Sequence, residues 1–208
     1  MRACRAPPVR SFLCLLPIAL VGAMAMWMLL RPVLDSAVAS FAQVLVRAFE
    51  YPRVTRLVVV DGRAEVRRSD LRTDSAIPTV SLTEVHFNTI VLVALYLALP
   101  KPFSRRQLER LLMGWSILYL TQTLNLVFHV KCLYALGLGE WSQLHYSEFA
   151  RNSFAFLRHF TDLPGRFSFP FLVWLAFNWD VVMGMLERAE DAGEASRSRP
   201  RQRSSRSR

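Results

Sequence analysis

Charged residues leave three long gaps in this chain. Residues 11–30, SFLCLLPIALVGAMAMWMLL, carry no charge and lie between Arg10 and Arg31. Residues 111–130, LLMGWSILYLTQTLNLVFHV, carry no formal charge apart from the titratable His129. Residues 167–186, FSFPFLVWLAFNWDVVMGML, contain one acid, Asp180. A helix needs roughly 20 mostly apolar residues to cross a hydrocarbon layer of ~30 Å, and each of these runs meets that length. A fourth run, 87–100, is shorter and spans only if its flanks help. The pattern predicts an α-helical integral membrane protein with about four transmembrane helices, at 11–31, 83–100, 111–130 and 167–186.

The segments between the runs read differently. In 33–50 the residues Leu34, Ala37, Val38, Phe41, Leu45 and Phe49 share one helical stripe, with Asp35, Gln43, Arg47 and Glu50 mainly elsewhere around the wheel. Such a helix either lies in the interface or continues the first span after a kink at Pro32. Residues 54–68, VTRLVVVDGRAEVRR, place two β-prone runs around Asp61-Gly62, a dipeptide suited to the positive φ angles of a type I′ turn. A lone hairpin is marginal in water, so this one must rest on a membrane, another segment or a partner. Residues 69–80 read as a polar loop. In 131–166 an amphipathic outer helix is expected from Trp141 onward, carrying Leu144, Tyr146, Phe149, Phe156 and Phe160, with Pro164-Gly165 breaking it before the last span. Aromatic rings favour the membrane–water boundary.

Charge orients this arrangement. The net charge is +10, yet only Lys101 and Lys131 are lysines and six of the arginines fall in residues 197–208. The tail 187–208 therefore reads as a disordered Arg/Ser-rich segment rather than part of a basic folded domain. It suits a topogenic role and attraction to anionic membrane lipid, and no specific nucleic-acid partner is expected without a stacking platform. The flank 1–10, the loop 101–110 and the tail are the basic segments beside the spans. With four spans they share one side, which the positive-inside rule makes the cytoplasm. The segments 32–82 and 131–166 are then extracytoplasmic, in a bacterial inner membrane. Ala23-Met24-Ala25 has the form of a signal-peptide cleavage site, but the apolar run continues through Leu30, which favours an uncleaved anchor.

Candidate chemistry is sparse. Three cysteines, Cys4, Cys14 and Cys132, are too few and scattered for a disulfide framework or a zinc cluster. All the histidines, His86, His129, His145 and His159, fall at or near the outer side, with Glu84 and Cys132. A nucleophile pair of Cys132 with His159 or His129 is one reading. A metal site using histidine and Glu84 is another, although the spacing specifies no ligand set, and no metal or cofactor is expected. Gln122, Asn125, Asn178 and Asp180 lie inside spans and need partners. Asn125 with Asn178, and Asp180 with an arginine near the cytoplasmic ends, are the expected interhelical contacts. Phe41, Leu45, Trp141, Phe149 and Phe156 are the expected partner surface.

The order of elements resembles the exosortase/archaeosortase family of membrane-embedded protein-sorting transpeptidases. Three stretches carry the likeness: Arg105-Arg106-Gln107-Leu108-Glu109-Arg110-Leu111-Leu112, then Gln122-Thr123-Leu124-Asn125-Leu126-Val127-Phe128, then His159-Phe160-Thr161-Asp162-Leu163-Pro164-Gly165. They resemble the family's basic loop, its Asn-centred motif and its histidine-bearing approach to the last span. The resemblance implies a nucleophilic cysteine around 79–88, where none stands, and an arginine three positions after Asn125, where Phe128 stands. Only His159 matches. The chain is thus similar to degenerate relatives, the exosortase-associated membrane proteins of the exosortase H type.

Three functions follow as expectations. The first is a non-catalytic membrane accessory of an exosortase-type sorting system, with another membrane protein such as an exosortase as partner. The second is a membrane-embedded transpeptidase or protease using Cys132 and His159. The third is a structural small membrane protein of another pathway.

Overall fold

A computed structural model describes residues 8–69 and 77–197, with side chains for 9–69 and 77–190. The elements run α1 (Pro8–Ala48), β1 (Thr55–Val60), β2 (Arg63–Arg68), β3 (Thr79–Ser81), α2 (Leu82–Leu97), α3 (Arg105–Leu136), α4 (Glu140–His145), α5 (Glu148–Phe160) and, after a π turn at Thr161–Gly165, α6 (Arg166–Arg197). Three helical stretches are long and apolar enough to cross a membrane: Val9–Ala48, Arg105–Leu136 and Glu148–Glu190. Their outward positions are apolar: Ile18, Val21 and Leu29 are 70%, 70% and 82% exposed, while Ala19 and Ala23 face inward. Water would oppose such a surface, and hydrocarbon suits it.

The helix α2 is the short central one, and α1, α3 and α6 surround it. Its 16 residues rise about 24 Å, less than a full hydrocarbon layer. It ends at Leu97, earlier than the span expected to reach residue 100.

Several boundaries differ from the sequence expectations, for physical reasons. Of the two arrangements open for 33–50, the structure has the continuation: α1 runs from the first span through Pro17 and Pro32 to Ala48. Just past Pro32 the Ser36 hydroxyl donates back to the Pro32 carbonyl at 2.9 Å, an i−4 side-chain bond compatible with a continuing helix. The helix α3 runs six residues past 130. The outer aromatic segment is two helices, α4 and α5, divided at Tyr146, with Ser147 capping α5 by accepting from the Ala150 N–H. Pro164-Gly165 does not break the chain from the last span. It widens the helix into a π turn, where the Thr161 hydroxyl contacts the Leu157 and Arg158 carbonyl oxygens at 2.9 and 3.0 Å.

The expected loop 69–80 also contains the third strand, β3. Part of the tail read as disordered, 187–197, is the end of α6, rich in the helix formers Glu, Ala and Arg. The remaining tail residues 198–208, the flank residues 1–7 and the loop residues 70–76 lie outside the described residues.

The three strands form an antiparallel sheet in the order β1-β2-β3, with Val60 opposite Arg63 and Ala64 opposite Val80. Asp61 and Gly62 turn β1 into β2 at φ values of 49° and 71°. The sheet is not free-standing. Its inward residues Ala64 and Val66 pack with Val38, Ala42 and Val46 of α1, Leu82 of α2, and Leu126 and Val130 of α3.

Arg68 fastens it further. Its guanidinium lies 4.7 Å from the Tyr134 ring centre and 4.6 Å from that of Trp141, and is 3.6 Å from Glu50. Glu50 also accepts from the Thr55 N–H and hydroxyl, at 3.1 and 2.6 Å. Burial pushes the nearby Tyr146 phenol above its ordinary pKa, partly opposed by the Arg68 charge.

A Cβ at Gly62 would displace only the far end of the Arg31 side chain. Replacing Gly62 by valine therefore costs chiefly the backbone strain at positive φ. The expected loss is about 1 kcal/mol or more, read as faster proteolysis of the outer region in spheroplasts. Unchanged protease resistance would contradict this account of the turn.

Candidate functional site

Among the described residues and apart from the Arg68–Glu50 network, polar side chains gather in three further places, one of them under the sheet at one end of the bundle. The π turn puts Asp162 at its centre. The Asp162 carboxylate oxygen Oδ1 accepts from Asn125 Nδ2 at 3.1 Å and lies 2.7 Å from His129 Nε2. An ionised carboxylate only accepts, so His129 carries its proton on Nε2 and leaves Nδ1 for another partner. Arg158 and Arg166 approach the same carboxylate at 3.6 and 3.8 Å. Arg166 also donates to Glu84 at 3.1 Å, tying the start of α6 to the first turn of α2.

Beside this hub a cavity of about 310 Å³ opens between β3, α2 and α5, with Arg63, Ser81, Glu84, His129, Arg158 and Arg166 among its walls. A recess of about 20 Å³, bordered by Asn125, Gln122 and Asn88, adjoins it through Glu84, Val85 and Arg166. That is room for about one water. A π turn within a long helix is a frequent mark of a functional position, and here it brings Asp162 onto the face that meets α3.

The second gathering is fully internal. Asp35 of α1 lies 3.0 Å from His86 Nε2, close but not aligned for a hydrogen bond. His86 Nδ1 is 3.3 Å from Gln122 Oε1, and Gln122 Nε2 donates to Asn88 Oδ1 and Thr89 Oγ1 at 2.5 and 2.6 Å. With its nitrogen spent on those two, the Gln122 amide offers its oxygen to His86. Asp35 and His86 are 2% and 0% exposed, so this chain joins α1, α2 and α3 away from solvent.

The third gathering lies at the opposite end. Arg106 and Arg110 reach Asp180 at 3.1 and 3.0 Å. Arg110 also donates to Asn178 Oδ1 at 3.4 Å. Asn178 sits at a kink in α6 (φ −122°, ψ 20°), where its side-chain amide donates to the Trp174 carbonyl at 2.9 Å. The side chain there replaces a backbone donor turned away by the kink.

These placements separate the expected pairs. Asn125 and Asn178 do not meet: Asn125 bonds Asp162 and Asn178 bonds Trp174 and Arg110, at opposite ends of the bundle. Asp180 does meet arginines. Cys132 is buried and hydrogen-bonds neither His129 nor His159, and His159 is exposed on α5. His129 stands three residues before Cys132 on α3, but its ring is committed to Asp162.

Among the expected surface residues, Phe149 and Phe156 are 83% and 65% exposed. Phe41 is partly covered by stacking on Tyr119, and Leu45 packs against the outer core. Trp141 is occupied within the chain by Arg68, Tyr134, His145 and Tyr146. Asp162, Arg158, Arg166, Arg63 and Ser81 were not singled out from the sequence. Of these, only Asp162, just before the helix-breaking Pro164-Gly165, carried a local signal. Among the described residues no group of three or more metal-ligating side chains converges.

The architecture is that of a small helical membrane protein with a polar cleft between β3, α2 and α5, lined among the described residues by no thiol. The model for exosortase H-associated membrane proteins matches residues 6–181, and the chain belongs to that family. No curated protein and no solved structure matches it.

Burial makes a direct statement about the thiol, because a reactive cysteine must be reachable as thiolate. In a chain whose Cys4 and Cys14 are changed to serine, Cys132 is expected to resist a membrane-impermeant maleimide until the protein is denatured. Fast labelling of the native protein would contradict its placement.

Proposed function

We infer that this chain is a non-catalytic accessory of an exosortase-type protein-sorting system, held in the bacterial inner membrane with both termini in the cytoplasm. Four spans are part of that reading, with α2 completing the set inside a ring of longer helices. The family assignment supports the association with an exosortase. The observation that carries the non-catalytic part is the outer cleft itself. It holds a His–Asp pair and three guanidiniums, yet the nearby cysteine is buried and turned to no base.

Association requires a surface, and α5 offers one. None of its residues is buried, and Phe149 and Phe156 stand out from it, with Leu144 of α4 at 82% exposure nearby. Exposed aromatic side chains at the edge of a bilayer serve contact with lipid or with another membrane protein. The family assignment favours the protein.

Photo-crosslinkers at Phe149 and Phe156 are expected to capture an exosortase, identified by its peptides, in the native membrane. Changing Cys132 and His159 together to alanine is expected to leave protein sorting intact. Capture of lipid alone, with cleavage of a sorting-signal peptide by the purified chain, would replace this reading with the enzymatic one.

A further inference from the structure

Between α1 and α3 the bundle leaves an apolar groove of about 190 Å³, with α2 as its floor. Ile90 and Val93 form that floor and are 7% and 6% exposed, while Met26 and Leu112 at the rim are 41% and 61% exposed. Thr89, the member of the lining that carries a hydroxyl, already accepts from Gln122 at 2.6 Å. A hollow of this kind offers water no partners and takes an apolar occupant instead. Its rim is continuous with the apolar outer faces of α1 and α3, so the groove opens where hydrocarbon lies in the membrane reading of these helices.

Its dimensions and its one neighbouring charge choose among apolar occupants. Along α1 the lining runs from Ala23 to Leu34, about 16 Å of helix, close to half of a hydrocarbon layer of ~30 Å. A helix is about 10–12 Å across with its side chains, too wide to enter this volume, whereas a single hydrocarbon chain is not. A cation marks the end nearer the sheet. The Arg31 guanidinium lies 5.4 Å from the ring centre of Trp27, part of the groove wall. Its Nε faces Asp35 at 3.5 Å and one terminal nitrogen donates to Thr83 at 2.8 Å. The other terminal nitrogen, Nη1, has no hydrogen-bond partner among the described residues. The Arg31 side chain is 34% exposed, against 3% for Asp35, so the cation and not its counter-ion meets the surroundings.

An occupant that fits is narrow, apolar, about one leaflet long, and anionic at the end nearer the sheet. We propose that the groove holds one acyl chain of a glycerophospholipid from the leaflet on the sheet's side, with the lipid phosphate at Arg31. The chain lies on Ile90 and Val93 between α1 and α3, and a phosphate oxygen accepts from Arg31 Nη1, a charge-assisted bond. The lipid then covers the flank of the short helix α2 that α1 and α3 leave open. This inference rests on the bilayer placement of α1 and α3 and not on an exosortase partner, so it can fail or hold independently of the accessory role.

The test uses the full chain in phosphatidylcholine nanodiscs doped with a photoreactive lipid. One probe is phosphatidylglycerol with a diazirine midway along one acyl chain, and the other is diacylglycerol with the same chains and no phosphate. Mass mapping of the labelled peptides separates two sites. Labelling at Ile18, Val21 and Leu29 reads the surrounding bilayer, and labelling at Ile90 and Val93 reads the groove, since lipid outside it cannot reach them. The phospholipid is expected to label both sites, and α2 roughly threefold more than the diacylglycerol does, the scale of one partly exposed charged contact. Arg31→Gln is expected to remove that difference and Arg31→Lys to keep most of it. Met26→Trp, a rim position, is expected to cut α2 labelling severalfold and leave Ile18 and Val21 unchanged. Outward labelling with none on α2 overturns the proposal and leaves the membrane reading standing, while loss of outward labelling as well removes both. Equal labelling of α2 by the two probes also overturns it, as does a crosslink across the groove to a second copy of the chain.

Discussion

The contact between Asp35 and His86 is the constraint on which the bundle's register depends. It places a carboxylate and an imidazole side by side where neither can reach water, and groups so buried must find partners within the protein. Gln122 supplies one from α3, while Asn88 and Thr89 hold Gln122 in turn. Apolar packing between membrane helices is nearly indifferent to small rotations, because lipid offers similar contacts. A polar chain is not indifferent, since a one-residue slip would strand every member. Arg31, one turn before Asp35, extends the link outward by bonding Thr83 at 2.8 Å.

Above that layer the sheet acts as a cap whose position is inherited from the helices. Its inward side chains sit on α1 and α3, and Arg68 at the end of the middle strand β2 lies between Tyr134 of α3 and Trp141 of α4 and locks the sheet there. This places β3 opposite the π turn and so creates the cleft. The cleft is a consequence of three separate placements: the edge strand, the first turn of α2, and the bulge that turns Asp162 toward α3. Its walls hold charges in compensating pairs around one hub, which suits binding more than turnover. Among the described residues the polar side chains thus divide into a lock, the Arg68–Glu50 network that fastens the sheet, a clasp at the other end made by Arg106, Arg110 and Asp180, and the cleft.

Much of the fold was legible because hydrocarbon imposes a minimum length on apolar runs, and the Asp61-Gly62 turn was legible because few dipeptides accept its backbone angles. Proline misled the reading. Pro164 was expected to break the helix before the last span, but the chain widens there into a π turn and carries on, whereas the continuation through Pro32 was one of the two arrangements open from the sequence. The division of the outer aromatic segment at Tyr146 depended on the Ser147 cap, a signal present in the sequence but outweighed by the aromatic stripe. The cleft was nearly invisible for a different reason. Asn125 was recognisable as a polar residue needing a partner, but Asp162 lies 37 positions away and nothing local connects them. Trp141 looked like surface because its partner Arg68 comes from a strand far earlier in the chain.

A double-mutant cycle on Asp35 and His86 tests the central claim, that a buried polar contact rather than apolar packing sets this bundle. Asp35→Leu, His86→Leu and the double variant would be compared by unfolding in mild detergent. Asp35→Leu leaves His86 with Gln122 alone and His86→Leu leaves Asp35 with Arg31 at 3.5 Å alone, so each is expected to be destabilising, while the double variant recovers part of the loss. The predicted coupling is about 1 kcal/mol or more. Additive losses, with no recovery in the double variant, would contradict the account.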